Sequence, residues 1–328
     1  MGNSYPDRTN FNGVWKINEL SKNKITHNNF PRGSTRATWG GGNDDGNPSN
    51  IIDYVTMETT GNATDFGNLT VAGEAPNGSG SSTRGFYSGR QVSASNVIDY
   101  VTFMSTGNAT DFGNLAANTS QHAAVNASDT RGIMAGGAAP GSINVIQFIT
   151  IASTGNTTDF GDCTAAKYGG PYGSINSNTR SIHGAGSSNI IDFINFSTLG
   201  NAVDHGDLPT SNSWGKAGAS SQTRGLFAGG AAARSTISSI TIHSAGDAID
   251  FGDLSVGRRG VAGASSRTRA AFGGGDNPGD KNEIDFVTFT SAGTATDFGN
   301  LSLARGRLAA NSNVLDIKLF ASFTKLGK

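Results

Sequence analysis

Asn96-Val-Ile-Asp-Tyr-Val-Thr-Phe-Met-Ser-Thr-Gly-Asn-Ala-Thr-Asp-Phe-Gly113 is a β-branched and aromatic run, a Thr-Gly-Asn turn and a second short run. Gly and Asn supply the positive φ that a tight turn demands, so the stretch reads as a β-hairpin. Alternation puts Val97, Asp99 and Val101 on one face and Ile98, Tyr100 and Thr102 on the other. Both faces carry bulky groups, which predicts a strand buried between layers. The stretch recurs without insertion at 50–67, 144–161, 189–206, 235–252 and 282–299. Its tag aspartate falls at Asp65, Asp111, Asp159, Asp204, Asp250 and Asp297, in steps of 46, 48, 45, 46 and 47 residues.

A second tag, an arginine usually preceded by threonine, stands at Arg36, Arg84, Arg131, Arg180, Arg224 and Arg269. Each opens a short apolar run that ends in glycines, such as Thr-Arg-Gly-Leu-Phe-Ala-Gly-Gly at 223–230, and reads as a further strand. Ahead of it lies a run of small residues, clearest at 259–266, suited to a strand in a crowded place. Four short antiparallel strands per repeat, with no helical periodicity in the array, predict an all-β fold: a β-propeller of six blades. The small-residue strand is expected at the centre and the Asp-Phe-Gly strand at the rim.

The array opens at Arg36 on the second strand of a blade, and 303–312 is an unpartnered copy of a first strand. Pairing the two closes the ring without a free edge. The expected organisation is an N-terminal arm at 1–31, the propeller at 32–313 and a C-terminal arm at 314–328. Seven blades is the competing count, since 11–18 could pair with 314–320 as a partial extra blade.

Of 328 residues 47 are glycine, and charged residues make up 15% against about 25% in an ordinary domain. A net charge of -1 argues against nucleic-acid binding. The single cysteine excludes a disulfide framework. No apolar run is long enough to span a bilayer, and the polar start lacks the features of a secretory signal, so neither membrane insertion nor export is expected. The two arms together carry a formal +4, leaving about -5 on the ring.

Asp-Phe-Gly repeated around a ring reads as structure: Phe a core anchor, Gly a bend, Asp a turn-closing acceptor. His205 takes the place of Phe66, Phe112, Phe160, Phe251 and Phe298 and reads as a packed histidine. The arginine ring and the aspartates Asp53, Asp99, Asp192 and Asp285 read as mutual partners that hold strands in register. Anion binding at the channel mouth is the alternative if the arginines are unpaired. Cys163 stands where other repeats have leucine, in the core. The five histidines share no repeat position, so neither a metal cluster nor a cofactor site is expected. Sialidase boxes and a copper-radical constellation are absent, and no catalytic residue is assigned. The gap from tag arginine to hairpin varies between 9 and 14 residues while the hairpin never varies. This makes 41–49, 88–95, 136–143, 229–234 and 274–281 the candidate interaction loops.

The glycine pairs Gly136-Gly137, Gly229-Gly230 and Gly273-Gly274 resemble the kelch repeat. The fuller signature, Asn-Val-Ile-Asp-Tyr-Val-Thr through Thr-Gly-Asn-Ala-Thr-Asp-Phe-Gly-Asn-Leu, is similar to kelch-like propeller proteins of tailed bacteriophages of marine cyanobacteria and similar hosts, over 35 to about 312. The resemblance implies a virion structural protein of fibre or adhesin type, assembled in the host cytoplasm. It carries over no catalytic residue. Phe11, Trp15, Phe320 and Phe323 in the arms are candidate anchors to other virion proteins, and the loops face a host-surface glycan or protein. A decoration or connector protein without host binding, or a non-viral kelch-like scaffold, are the alternatives.

Overall fold

A computed structural model describes residues 35–91, 95–169, 172–184, 186, 188–210 and 214–313, and among these there is no helix. The arms, with Phe11, Trp15, Phe320 and Phe323, lie outside this set, as does the pairing that a seventh blade would need.

Six antiparallel sheets form a six-bladed β-propeller. Blade 1 runs from axis to rim as Ala309–Ser312, Arg36–Gly40, Ile51–Thr56 and Thr64–Asn68. The closure is as expected, with Ala37 opposite Ser312 and Gly40 opposite Ala309. Blade 2 is Asn77–Gly80, Arg84–Ser88, Ser95–Thr102 and Thr110–Thr119. Blade 3 is Ala124–Ala127, Arg131–Ala138, Ser142–Thr150 and Thr158–Asp162. Blade 5 is Lys216–Ser220, Arg224–Gly229, Thr236–Thr241 and Ile249–Asp253, and blade 6 is Ala262–Ser265, Arg269–Gly273, Glu283–Thr288 and Thr296–Asn300.

Blade 4 departs from this plan. Its sheet holds Arg180–His183, Ile190–Asn195 and Val203–Asp207 only. The start of the segment that should be its inner strand leaves the blade, and Tyr172–Gly173 pairs in parallel with Ala262 and Gly263 of blade 6, while Asn176 still bridges Ser181 and the Ile182 N–H donates to the Ile175 carbonyl. A Cβ on Gly173 would lie 2.2 Å from the Gly263 carbonyl oxygen and 2.5 Å from that of Gly218 in blade 5. The Gly173 N–H donates to Asn77 Oδ1 of blade 2. Backbone therefore fills the axis. Asn126 of blade 3 replaces part of the missing pairing, accepting from the Ile175 N–H and donating to Ser181 Oγ and the Ile182 carbonyl.

The Asp-Phe-Gly tag is a β-bulge: Ile52 faces Gly67 and Asp53 faces Asp65, leaving Phe66 as the extra residue that turns into the core. A Cβ on Gly67, Gly113, Gly161, Gly206, Gly252 or Gly299 would fall 2.0 to 2.5 Å from the carbonyl oxygen of the turn glycine in the next blade. That turn glycine donates its N–H to the Phe66, Phe112, Phe160, His205, Phe251 or Phe298 carbonyl. In five junctions the turn's Asn or Asp side chain also accepts an outer-strand N–H, Asn68 to Asn108 being one. The rim edge of every blade is thus covered by its neighbour's turn, which removes an exposed strand edge.

Candidate functional site

The repeated arginines are consumed in holding blades together. Each tag arginine lies over an aromatic ring of its own blade at 4.2 to 5.5 Å. Its guanidinium donates to a backbone carbonyl of the next blade: Arg36 to Phe103, Arg84 to Ile151, Arg131 to Phe196, Arg180 to Ile242, Arg224 to Phe289 and Arg269 to Met57. The tag aspartates are exposed, and Asp111, Asp204 and Asp297 accept the N–H of the bulge glycine two residues on.

The expected pairing of tag arginines with Asp53, Asp99, Asp192 and Asp285 does not occur. These four carboxylates are buried and paired instead with Arg305, Arg90, Lys167 and Arg258. The cause is spacing across blades. The residue four past the outer-strand Leu301, Leu254 or Cys163 is Arg305, Arg258 or Lys167, and it crosses to the aspartate of the following blade. Ser302, Ser255 or Thr164, one past that Leu or Cys, donates its hydroxyl to the same carboxylate. Past Leu69 the matching position is Gly73, where a Cβ would lie 2.6 Å from Arg90 Cδ, so Arg90 enters from blade 2 itself. Past Leu115 it is Thr119, and the following blade carries neutral Gln147, which accepts from the Ala116 N–H. The signal was in the sequence, as charge covariation between successive repeats.

Cys163 and His183 form a pair that only imitates a nucleophile and base, with Sγ 4.0 Å from Nδ1. Burial pushes the thiol up to about 12 and, with Lys167 adding to it, the imidazole down to about 3. Both are neutral at physiological pH. Among the described residues no three His, Cys, Asp or Glu side chains are placed to hold a metal ion.

Side chains without counterparts in other blades gather elsewhere. In an antiparallel meander the turns after the first and third strands share one face. The loop after the second strand and the crossing to the next blade share the opposite one, which carries the candidate interaction loops. There each chain enters its inner strand through a left-handed residue: Gly169, Gly215 and Gly260, but also Ala75, Gln121 and Arg307, with φ of 49° to 53° for these three. A backbone collar links them, Ala75 donating to Arg307, Arg307 to Gly260 and Gly260 to Gly215. A non-glycine left-handed residue costs on the order of 1 kcal/mol. Arg307 spans the collar, stacked on Trp214 at 5.2 Å and paired with Glu74 at 3.3 Å.

Beside Arg307 opens a cleft of about 380 Å³ lined by Asn43, Gly46, Glu74, Asp276, Asp280, Gly306 and Arg307. Its walls come from two of the candidate loops, 41–49 and 274–281. The first folds as the small hairpin Asn43–Asp44 and Asn47–Pro48 around a left-handed Asp45-Gly46 turn. The Asp45 N–H donates to Asp280, Asn43 donates to Glu74, and Arg259 pairs with Asp276 at 2.5 Å. Burial, then the neighbouring Asp276, Asp45 and Asp44 carboxylates, push the Asp280 carboxyl up. The cleft is a negative, open recess whose carboxylates and amide can accept and donate hydrogen bonds.

No family model and no curated protein matches the chain. Glu74 and Arg307 were not singled out from sequence, because they lie in blade-to-blade crossings rather than in the variable loops. Aligning the crossings would have found Arg307, which stands where three repeats have glycine.

Proposed function

We propose that this chain is a bacteriophage virion structural protein, a surface-exposed fibre or adhesin-type propeller that recognises a protein or host-surface partner and performs no catalysis. One observation carries the recognition part. The repeated arginines and turn Asn or Asp side chains are spent on blade-to-blade bonds, whereas non-repeating polar residues, Asn43, Glu74, Asp276, Asp280 and Arg307, converge on one face around a cleft. The sealed axis favours the same reading, since ligands of a propeller then have the loop face rather than a channel to bind. The virion part rests on the resemblance of the hairpin signature to phage propellers. In this reading the arms, with Phe11, Trp15, Phe320 and Phe323, attach the ring to other virion proteins, and the loops face outward.

Antibody labelling and peptide mass spectrometry of purified particles test this directly. The chain is expected on intact particles with the loop face open to antibody. Its absence from them would remove the virion assignment, and a loop face masked on the particle would favour a connector.

A further inference from the structure

Of the buried ion pairs that tie one blade to the next, one is built with lysine. Lys167 Nζ lies 2.6 Å from Asp192 Oδ2, and both side chains are 0% exposed. We propose that Lys167 and Asp192 are joined by an isopeptide bond between Nζ and Cγ, fastening blade 3 to blade 4.

Two observations support this. The amine and the carboxyl are already in contact where water is excluded, so the reaction is intramolecular. The carboxyl is also held for attack: the Thr164 hydroxyl donates to Oδ1 at 2.5 Å and the Thr164 N–H to Oδ2 at 3.1 Å. The first of these stabilises the oxyanion that forms on Oδ1.

The step balances without a co-reactant. Nζ passes a proton to Oδ2 and attacks Cγ, and the Nζ–Cγ bond forms. The Cγ–Oδ2 bond then breaks, and Oδ2 departs as water with two of the three original ammonium protons. The third remains on the amide nitrogen. Cys163 and His183, the other titratable groups of this pocket, take no part.

Lysine is otherwise the poorer choice here. Arg305 and Arg258 each donate to two carbonyls besides their aspartate. Lys167 reaches one, Ile190, at 3.4 Å. The substitution falls at blade 4, whose inner strand is cut short because Tyr172–Gly173 turns to blade 6. A covalent fastening would sit beside that shortened pairing.

Intact mass of the purified, unfolded full-length chain tests the bond. The mass is expected to be lower than that of the sequence by one water, and digestion should release a branched peptide joining Lys167 to Asp192. Lys167→Arg, which installs the residue of the sister junctions, should restore the full mass. A chain at its full sequence mass after prolonged incubation, with trypsin cutting after Lys167, would overturn the proposal. So would a loss of water that persists in Lys167→Arg. If that variant does not fold, the wild-type mass and the branched peptide still decide.

Discussion

His205 occupies the site that five blades give to phenylalanine, buried and edge-on to Phe193 at 5.9 Å. Neither ring nitrogen makes a hydrogen bond of good geometry. Burial and Arg180 lower its proton affinity more than the Thr241 carbonyl and Asp204 raise it. Such an unpaired buried polar group costs about 1 to 3 kcal/mol. His205→Phe is therefore expected to raise the free energy of unfolding by roughly 1 kcal/mol or more and with it the denaturation midpoint, and a lowered midpoint would refute the reading of this site as a core anchor. The ring also carries an acid limit. Burial holds His122 down to about 4 and, with Lys167, His183 down to about 3. Unfolded, both titrate near 6.5, so as pH falls the unfolded chain binds protons before the folded one does. Stability is full above about 6.5 and falls below it, to about 4 for His122 and about 3 for His183, by roughly 1.4 kcal/mol per pH unit for each histidine. Urea denaturation from neutral pH downward should show this slope, and His122→Gln should shorten it.

The elements were legible where the chain repeats and illegible where it does not. The hairpin, its bulge glycine and the closing strand at Ala309–Ser312 follow from residue type and spacing, because turn chemistry and strand closure are local or periodic constraints. The turn of Tyr172–Gly173 out of blade 4 was not, because it depends on the room left by Gly218 and Gly263 in other blades. Nor were the partners of Asp53, Asp99, Asp192 and Asp285, which depend on a cation placed by the preceding connection or, for Arg90, by a gap at Gly73. The junctions form a natural series that can be exchanged. Arg305→Met leaves Asp53 buried and unpaired, at a cost of about 3 to 5 kcal/mol. Adding Asp53→Gln and Ser302→Ala, with Thr in place of Met at Arg305, copies the neutral junction of Ala116, Thr119 and Gln147. Chemical denaturation should find the triple variant more stable than the single one; equal or greater loss would mean the ion pair is not an interchangeable fastening.

At the scale of the molecule, the ring is a rigid frame with a filled axis, and its non-repeating chemistry lies on the face of loops 41–49 and 274–281. The variable loops were legible from their lengths. The cleft was not, because Glu74 and Arg307 reach it from crossings that are distant in sequence. The most direct test of recognition through this face is competition for adsorption. Under the virion role proposed above, purified chain is added to host cells ahead of phage particles, alongside a Glu74→Ala/Asp280→Ala variant and a variant altered only on the opposite face, Asp129→Ala. The account predicts that the wild-type chain and Asp129→Ala reduce adsorption while the cleft variant, folded to the same thermal midpoint, does not. Adsorption unchanged by the wild-type chain, or reduced equally by all three, would contradict it.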